Sequence, residues 1–267
     1  MDKAADGDVM IYKRVAARLR AQDWAAITIE LAIVVVGVFL GTQANNWNQA
    51  RINRATASDY RREIIDDLKA NEADLETRQA YYRAVRTHAI AALAAIEAPF
   101  PQLAEPFLID AYQASQVWLR PLLRTGYDEM IGAGFSGGIG NRESRLRLSA
   151  YYTQMGQIDS NALSTTAYRE RLRHAMPYVV QLAVQRRCGD RVTTLPDGSL
   201  VSVLPPSCTL GLDGRVVALA VSRLQSAKLN EDLTRHVGDI DQRLAGFERI
   251  RRLAHENRLY LQRMESR

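Results

Sequence analysis

A long apolar segment near the start of the chain constrains the fold more than any other feature. From Trp24 to Trp47 the sequence reads WAAITIELAIVVVGVFLGTQANNW, and Glu30 is the only ionisable residue between positions 25 and 44. A helix of about 20 mainly apolar residues can cross the hydrocarbon core of a bilayer. Tryptophan favours the membrane interfaces, where Trp24 and Trp47 would act as anchors. The segment therefore predicts a transmembrane helix over residues 24–46.

A cleaved signal peptide is the alternative explanation of this segment. Thr42-Gln43-Ala44 offers a small-residue cleavage site. The apolar run is longer than the matching part of a signal peptide, however, and it contains a carboxylate. The 23 residues that precede Trp24 are also long for the charged start of such a peptide. We therefore expect the segment to be retained as a membrane anchor.

The basic residues that flank the segment predict its orientation. Four lie in the fifteen residues before Trp24 and two in the fifteen after Ala44, namely Lys13, Arg14, Arg18 and Arg20 against Arg51 and Arg54. Cytoplasmic flanks carry the excess of Lys and Arg. We expect residues 1–23 to form a cytoplasmic segment and residues 47–267 a periplasmic domain of a bacterial inner-membrane protein.

The two cysteines fit an oxidising compartment. Cys188 and Cys208 flank RVTTLPDGSLVSVLPP, two short runs of β-favouring residues around a Pro-Asp-Gly turn signal. A hairpin over about residues 189–206 would bring the two sulfurs together, and such a disulfide persists in a compartment like the periplasm. The alternative is two unrelated buried thiols.

Three residues of the apolar segment share one helix face. Glu30, Gly37 and Gly41 fall at helical spacing, and two glycines four apart allow a second helix to approach closely. A carboxylate that faces lipid costs several kcal/mol, which favours a partner helix on this face. The stripe predicts self-association or a partner subunit in the membrane. The alternative is a neutral Glu30 lying shallow in the leaflet.

The rest of the chain shows mainly helical periodicity. Apolar and charged fractions of 47% and 24% are those of an ordinary folded protein, and the net charge of +5 comes from interleaved basic and acidic residues. We therefore expect no nucleic-acid partner. The predicted helices cover Tyr60–Ile96, Phe107–Arg120, Tyr127–Ala133, Asn141 toward Arg187 with a kink at Pro177, and a heptad-bearing helix (Leu229, Leu233, Val237, Ile240, Leu244, Phe247) to about Met264.

This pattern predicts a mainly α fold. It consists of one N-terminal transmembrane helix followed by an antiparallel helical bundle with one small β-hairpin. The long helix that starts near Tyr60 could be continuous with the span, and the sequence leaves that question open.

Two segments carry a family resemblance. The first is ELAIVVVGVFLGTQANNWN (30–48), and the second is TGYDEMIGAGFSGGIGNRESRLRLSAYY (125–152). The residues that match are Glu30, Gly37, Gln43, Asn45, Asn46, Trp47 and Asn48, and then Tyr127, Glu129, Gly134, Ile139, Asn141, Leu146, Arg147, Tyr151 and Tyr152. They resemble the signatures of a family of uncharacterised single-span bacterial membrane proteins. Ile29, Gly41 and Ala133 depart from those signatures. The resemblance implies one span and a mostly helical ectodomain, and it implies no reaction.

The second of these segments contains the candidate interaction site. Tyr127, Asp128, Glu129, Tyr151 and Tyr152 could line one end of the bundle. The alternative is that these residues simply pack a helix–loop–helix corner.

We predict no catalytic, cofactor-binding or metal site. Gly134-Phe-Ser136-Gly-Gly138 matches the G-x-S-x-G pattern of a nucleophile elbow, but that elbow needs a preceding strand, and here a helix is predicted. We expect Gly134 to end that helix in the left-handed conformation. The four histidines lack metal-ligand spacing.

The sequence therefore predicts an interaction protein rather than an enzyme. It would be a scaffold, assembly or sensor component, with the membrane and either a second copy or another envelope protein as partners. We expect an oligomer to form through Gly37, Gly41 and the heptad run of the last helix, which is a coiled-coil pattern. The alternative is an ectodomain that recognises a small molecule or envelope component in an apolar pocket near Tyr127 and Tyr152.

Overall fold

The structure, a computed structural model, describes residues 24–118, 120–163, 165–196 and 200–265. These residues form eight α-helices, one short 3-10 helix (Ser136–Ile139) and one two-stranded sheet. The helices are α1 (Trp24–Glu97), α2 (Glu105–Ala114), α3 (Thr125–Gly132), α4 (Arg142–Leu163), α5 (Ala167–Ala175), α6 (Tyr178–Cys188), α7 (Gly214–Ser226) and α8 (Asn230–Glu265), and the strands are β1 (Arg191–Thr194) and β2 (Leu200–Val203). This mainly α architecture with one small hairpin confirms the predicted fold class.

Helix α1 is much longer than the predicted span. It continues without interruption to Glu97, because the sequence has neither Gly nor Pro between Thr42 and that residue. The helix ends before Pro99, where the ring restricts the preceding residue. The predicted helix over Tyr60–Ile96 is thus the C-terminal part of α1.

The chain divides at Thr56 and Ala57 into two units. In the first unit, every described side chain from Thr28 to Ala55 is exposed, including large apolar ones such as Ile33, which is 65% exposed. Among the described residues, α1 is the helix that is long and apolar enough to cross a membrane. The predicted cytoplasmic segment 1–23 lies outside the described residues.

The second unit is built on the C-terminal part of α1 and on α8, which run antiparallel. Glu72 accepts hydrogen bonds from Arg258, and further along α1 Arg86 binds Asp241. Position numbers rise along α1 while their partners' numbers fall along α8, which fixes the opposite directions. These contacts confirm the antiparallel packing expected of the bundle.

Helix α4 packs beside α1 in the same direction. The Asn71 side chain reaches Tyr151, and the Arg78 side chain reaches Asp159. The residue numbers of the contacting partners increase along both helices, so α4 is parallel to α1 and antiparallel to α8. The three long helices enclose a core whose members include Leu75, Val85, Leu148, Met155, Ile240 and Phe247.

The predicted heptad residues belong to this core. Leu233, Ile240 and Phe247 are almost completely buried, and Val237 and Leu244 pack partly against the same cluster. Because the described residues of this chain already cover them, they are not exposed to a second copy. Helix α8 itself extends over nearly the predicted range.

Two predicted helices differ from the observed ones. The helix predicted to reach Arg120 ends at Ala114, where the Ser115 N–H and hydroxyl both bind the Tyr112 carbonyl and close the last turn. Beyond it, the Trp118 N–H donates to the Tyr82 hydroxyl instead of continuing a helical ladder.

The long helix predicted from Asn141 toward Arg187 is three helices. Thr166 starts α5 as an N-cap whose side chain accepts from the Arg169 N–H. Met176 is extended before Pro177, so the proline separates α5 from α6 rather than kinking one helix. Helix α7 was not predicted, although Asp213 caps its start through the Arg215 N–H.

The hairpin lies where it was predicted. Its strands pair antiparallel from Arg191 opposite Val203 to Thr194 opposite Leu200. Residues 197–199 of the predicted turn lie outside the described residues. Cys188 and Cys208 lie at disulfide-bonding distance with their Cα atoms 5.6 Å apart, which confirms the predicted pair.

Candidate functional site

The tyrosines of the predicted interaction corner do come together. The rings of Tyr127 and Tyr152 stack with centroids 4.1 Å apart, and Tyr151 meets Tyr152 edge-on at 4.9 Å. Tyr151 and Tyr152 are buried, and Tyr127 is partly buried. Ring stacking leaves no room for a ligand between the rings of Tyr127 and Tyr152.

A close backbone approach sets the position of α3 in this corner. The Gly126 N–H donates to the Asp67 carboxylate at 2.9 Å. A Cβ atom on Gly126 would lie 2.9 Å from the Glu63 Cβ and 3.0 Å from the Ile64 backbone nitrogen. Only glycine therefore lets the first turn of α3 lie directly on α1.

The segment before α3 is held by a buried amide. The Asn71 side chain accepts from the Leu123 N–H and donates to the Leu123 carbonyl, both at 2.7 Å. The same Nδ2 donates to the Tyr151 hydroxyl at 3.1 Å. Asn71 is only 1% exposed, so these bonds satisfy the polar atoms of a side-chain amide that water cannot reach.

The acidic residues of the corner lie at its surface. Arg124 binds both carboxylate oxygens of Asp128, at 2.6 and 2.7 Å. Glu129 is exposed on the same helix. The corner thus places one paired and one exposed carboxylate beside a packed tyrosine cluster.

A buried cation lies deeper in the same region. Arg78 is 1% exposed and donates to Asp74 through Nε at 2.9 Å and Nη2 at 2.6 Å. Its Nη1 lies 3.8 Å from Asp159, which also accepts from the Leu122 N–H. The charges therefore link α1, α4 and the segment before α3.

Burial changes the ionisation of several groups here. It raises the pKa of Asp67 and of Asp159, although a backbone N–H bound to each carboxylate acts in the opposite direction. Burial also raises the pKa of Tyr151 and of Tyr152. The tyrosines stay protonated in this corner, and Asp67 and Asp159 hold their protons to higher pH than exposed carboxyls.

The predicted membrane-helix interface is exposed within the first unit. Glu30, Gly37 and Gly41 are all exposed, and a Cβ on either glycine would meet nothing within 4 Å. Trp47 is 66% exposed, and the side chain of Trp24 lies outside the described residues. This face of α1 is open to a second helix or to lipid.

The glycine-rich loop has the local geometry expected of a helix end. Helix α3 stops at Gly132, and Gly134 has a positive φ of 75°. The pattern around Ser136 follows a helix and starts a 3-10 turn, whereas a nucleophile elbow follows a strand. In the described ranges, no group of three or more His, Cys, Asp or Glu side chains is arranged to hold a metal ion.

The sequence did not predict a polar cleft between α8, the end of α4 and the start of α5. Its volume is about 790 Å³. Its charged lining residues are Asp232, Arg235, Asp239, Arg243 and Arg249, all on α8. His236 also lines it, with Nε2 donating to the Ala114 carbonyl at 2.8 Å and the ring stacked on Tyr168. The polar residues of α8 that line the cleft recur at helical spacing beside its apolar stripe, and this sequence pattern could have indicated a polar surface on the helix.

Comparison of the chain with protein-family models, with curated proteins and with solved structures finds no match.

The Asn71 amide generates a stability prediction. Asn71→Ala removes the partner of the Leu123 N–H and carbonyl and of the buried Tyr151 hydroxyl, and we expect it to lower the free energy of unfolding by about 2 kcal/mol. Glu76→Ala truncates an exposed polar side chain on the same helix and should change that free energy by less than about 0.5 kcal/mol. Chemical denaturation of the full chain in detergent micelles, followed by circular dichroism, measures both. Equal effects of the two variants would contradict the assigned role.

Asp67 generates a pH prediction. Its pKa in the folded chain is raised above the reference value of 3.8, so the folded state binds more protons, and its contribution to stability falls as pH rises from 3.8 through the raised pKa. Asp67→Asn keeps an oxygen for the Gly126 N–H but removes the charge. We expect denaturation midpoints of this variant to fall less steeply over that pH range. Glu76→Gln, at an exposed position further along the same helix, should retain the original slope.

Proposed function

We propose that this chain is a single-span bacterial inner-membrane protein whose periplasmic helical domain acts by protein interaction, as a scaffold, assembly or sensor component. The observation that carries the proposal is the run of exposed apolar side chains around the whole circumference of α1 from Ile29 to Leu40. A soluble helix buries one apolar face, whereas a helix that is apolar on all sides needs a bilayer or a core around it. Kinship with the single-span family that residues 30–48 and 125–152 resemble forms part of this proposal.

The disulfide supports the periplasmic side for the second unit. Cys188 is completely buried and is paired with Cys208 across the base of the hairpin. Disulfides of this structural kind persist outside the cytoplasm. Together with the four basic residues before the span, this favours a cytoplasmic N-terminus.

The proposed surface for self-association lies on the membrane-spanning part of α1. Glu30, Gly37 and Gly41 form one exposed stripe, and glycines at this spacing let two helix backbones approach closely. The heptad residues of α8 pack within the chain's own core, so self-association rests on this stripe rather than on a coiled coil of α8.

Recognition of a small molecule or envelope component remains the second candidate function. The stacked rings of Tyr127 and Tyr152 leave no space between them, which disfavours the tyrosine corner as the ligand-binding site. The polar cleft along α8 favours this candidate instead, because its volume falls in the range of about 300–1,000 Å³ typical of ligand sites.

Thiol labelling in intact cells tests the proposed topology. With a membrane-impermeant maleimide, Cys188 and Cys208 should react only after reduction, and the chain should fractionate with membranes. The matched control is Ala4→Cys in a chain carrying Cys188→Ser and Cys208→Ser, which should react only after lysis. If the native cysteines are free and react only after lysis while Ala4→Cys reacts in intact cells, the orientation is reversed and the proposal fails.

The glycine stripe generates a separate prediction. Gly37→Leu with Gly41→Leu fills the surface that a second helix would approach, and we expect the dimer fraction in membranes to fall on the order of tenfold. Val35→Leu with Phe39→Leu has the same spacing on the opposite face and should leave it unchanged. Crosslinking in native membranes measures both variants. Unchanged dimer in the glycine variant would exclude this interface.

A further inference from the structure

The polar cleft of the second unit is long. Its α8 wall extends from Asp232 to Ile250, a rise of about 27 Å along the helix axis. Two elements form the opposite wall, which are α4 at Gln154 and the start of α5 at Thr166. An extended polypeptide covers this length with about eight residues. The shape therefore suits a linear ligand better than a compact one.

The charges along the cleft are mainly positive. Arg235, Arg243 and Arg249 line it against Asp232 and Asp239, and Asp232 already pairs with Arg171 at 2.9 Å. The N-terminus of α5, which also lines the cleft, adds the positive end of a helix dipole. Among the described residues, no ion pair is formed by Arg235 or Arg249. These charges favour an acidic ligand.

The uncharged lining residues suit a peptide backbone. Gln154, Gln157 and Gln242 each present a donor and an acceptor, the two groups that every peptide unit needs to satisfy. His236 is 4% exposed, and burial lowers its pKa, which favours the neutral ring. Since its Nε2 donates to the Ala114 carbonyl, its Nδ1 is an acceptor, and that atom has no hydrogen-bond partner in the described part of the chain. His236 thus adds a buried acceptor without a partner to the residues that line the cleft.

We propose that this cleft binds an extended acidic segment of a partner polypeptide. The inference rests on the proposed interaction function and names where the partner binds and its chemistry. Acidic side chains would meet Arg235 and Arg249, while the glutamine amides would bind the partner's backbone. The tyrosine corner has no part in this contact.

Peptide binding to the purified full chain in nanodiscs tests the proposal. The probe is a fluorescein-labelled eight-residue peptide alternating Glu and Ser, and its counterpart alternates Lys and Ser. Fluorescence anisotropy at about 0.1 M salt limits long-range charge effects. We expect the Glu peptide to bind on the order of tenfold more tightly than the Lys peptide. Arg235→Gln with Arg249→Gln should weaken its binding by a similar factor.

Two controls separate the cleft from the general surface charge. Arg223→Gln with Arg252→Gln removes the same charge from exposed positions outside the cleft and should leave binding unchanged. Ala245→Trp fills the cleft at an exposed lining position without changing charge and should abolish binding.

Three results would overturn the proposal. They are equal binding of the two peptides, undiminished binding to Ala245→Trp, and displacement of the peptide by an equal concentration of free glutamate, which would indicate a compact ligand. These measurements do not depend on orientation in the cell. A failed peptide assay with the expected thiol labelling would remove only the cleft assignment, whereas reversed labelling would remove the proposed function.

Discussion

The buried amide of Asn71 is the interaction on which the rest of the second unit depends. Between α2 and α3 the described residues 115–118 and 120–124 form neither helix nor strand, so their backbone groups need partners that a helix would otherwise supply. Asn71 provides both a donor and an acceptor to Leu123, and the same side chain reaches the Tyr151 hydroxyl on α4. One residue of α1 thereby links the segment before α3 to α4, while the contact of Gly126 with Asp67 positions α3.

The charged residues near Asn71 form further contacts between the same parts of the structure. Arg78, about two turns further along α1, brings Asp74 and Asp159 together, and Asp159 also holds the Leu122 N–H. Removing one partner from such a buried set would leave an uncompensated charge, which is much more costly than a broken surface pair. The network thus joins α1, α4 and the segment before α3, whereas Glu129 is exposed and does not contribute to it.

The sequence predicted those features that depend on local chemistry. The helical periodicity from Tyr60 to Ile96 indicated a long helix, and a turn signal between two cysteines indicated the hairpin and its disulfide. Prediction from the sequence failed where contacts between residues distant in sequence determine the local structure. Helix α2 stops at Ala114 because the backbone beyond it binds Tyr82, a residue distant in sequence. The burial of Arg78 could not be predicted either, since an Arg four residues after an Asp usually lies on a solvated helix face.

Helix α8 shows how one periodic sequence can support both a core and a candidate binding surface. Leu233, Ile240 and Phe247 recur every seven residues and face the core. Arg235 and Gln242 have the same period but follow two positions later, which rotates them about 200° around the helix axis and away from that core. The apolar stripe alone suggested a coiled coil. The core-facing stripe is already covered within the chain, so a partner bound in the proposed cleft would meet the polar stripe, where charge and hydrogen bonding rather than apolar burial determine specificity.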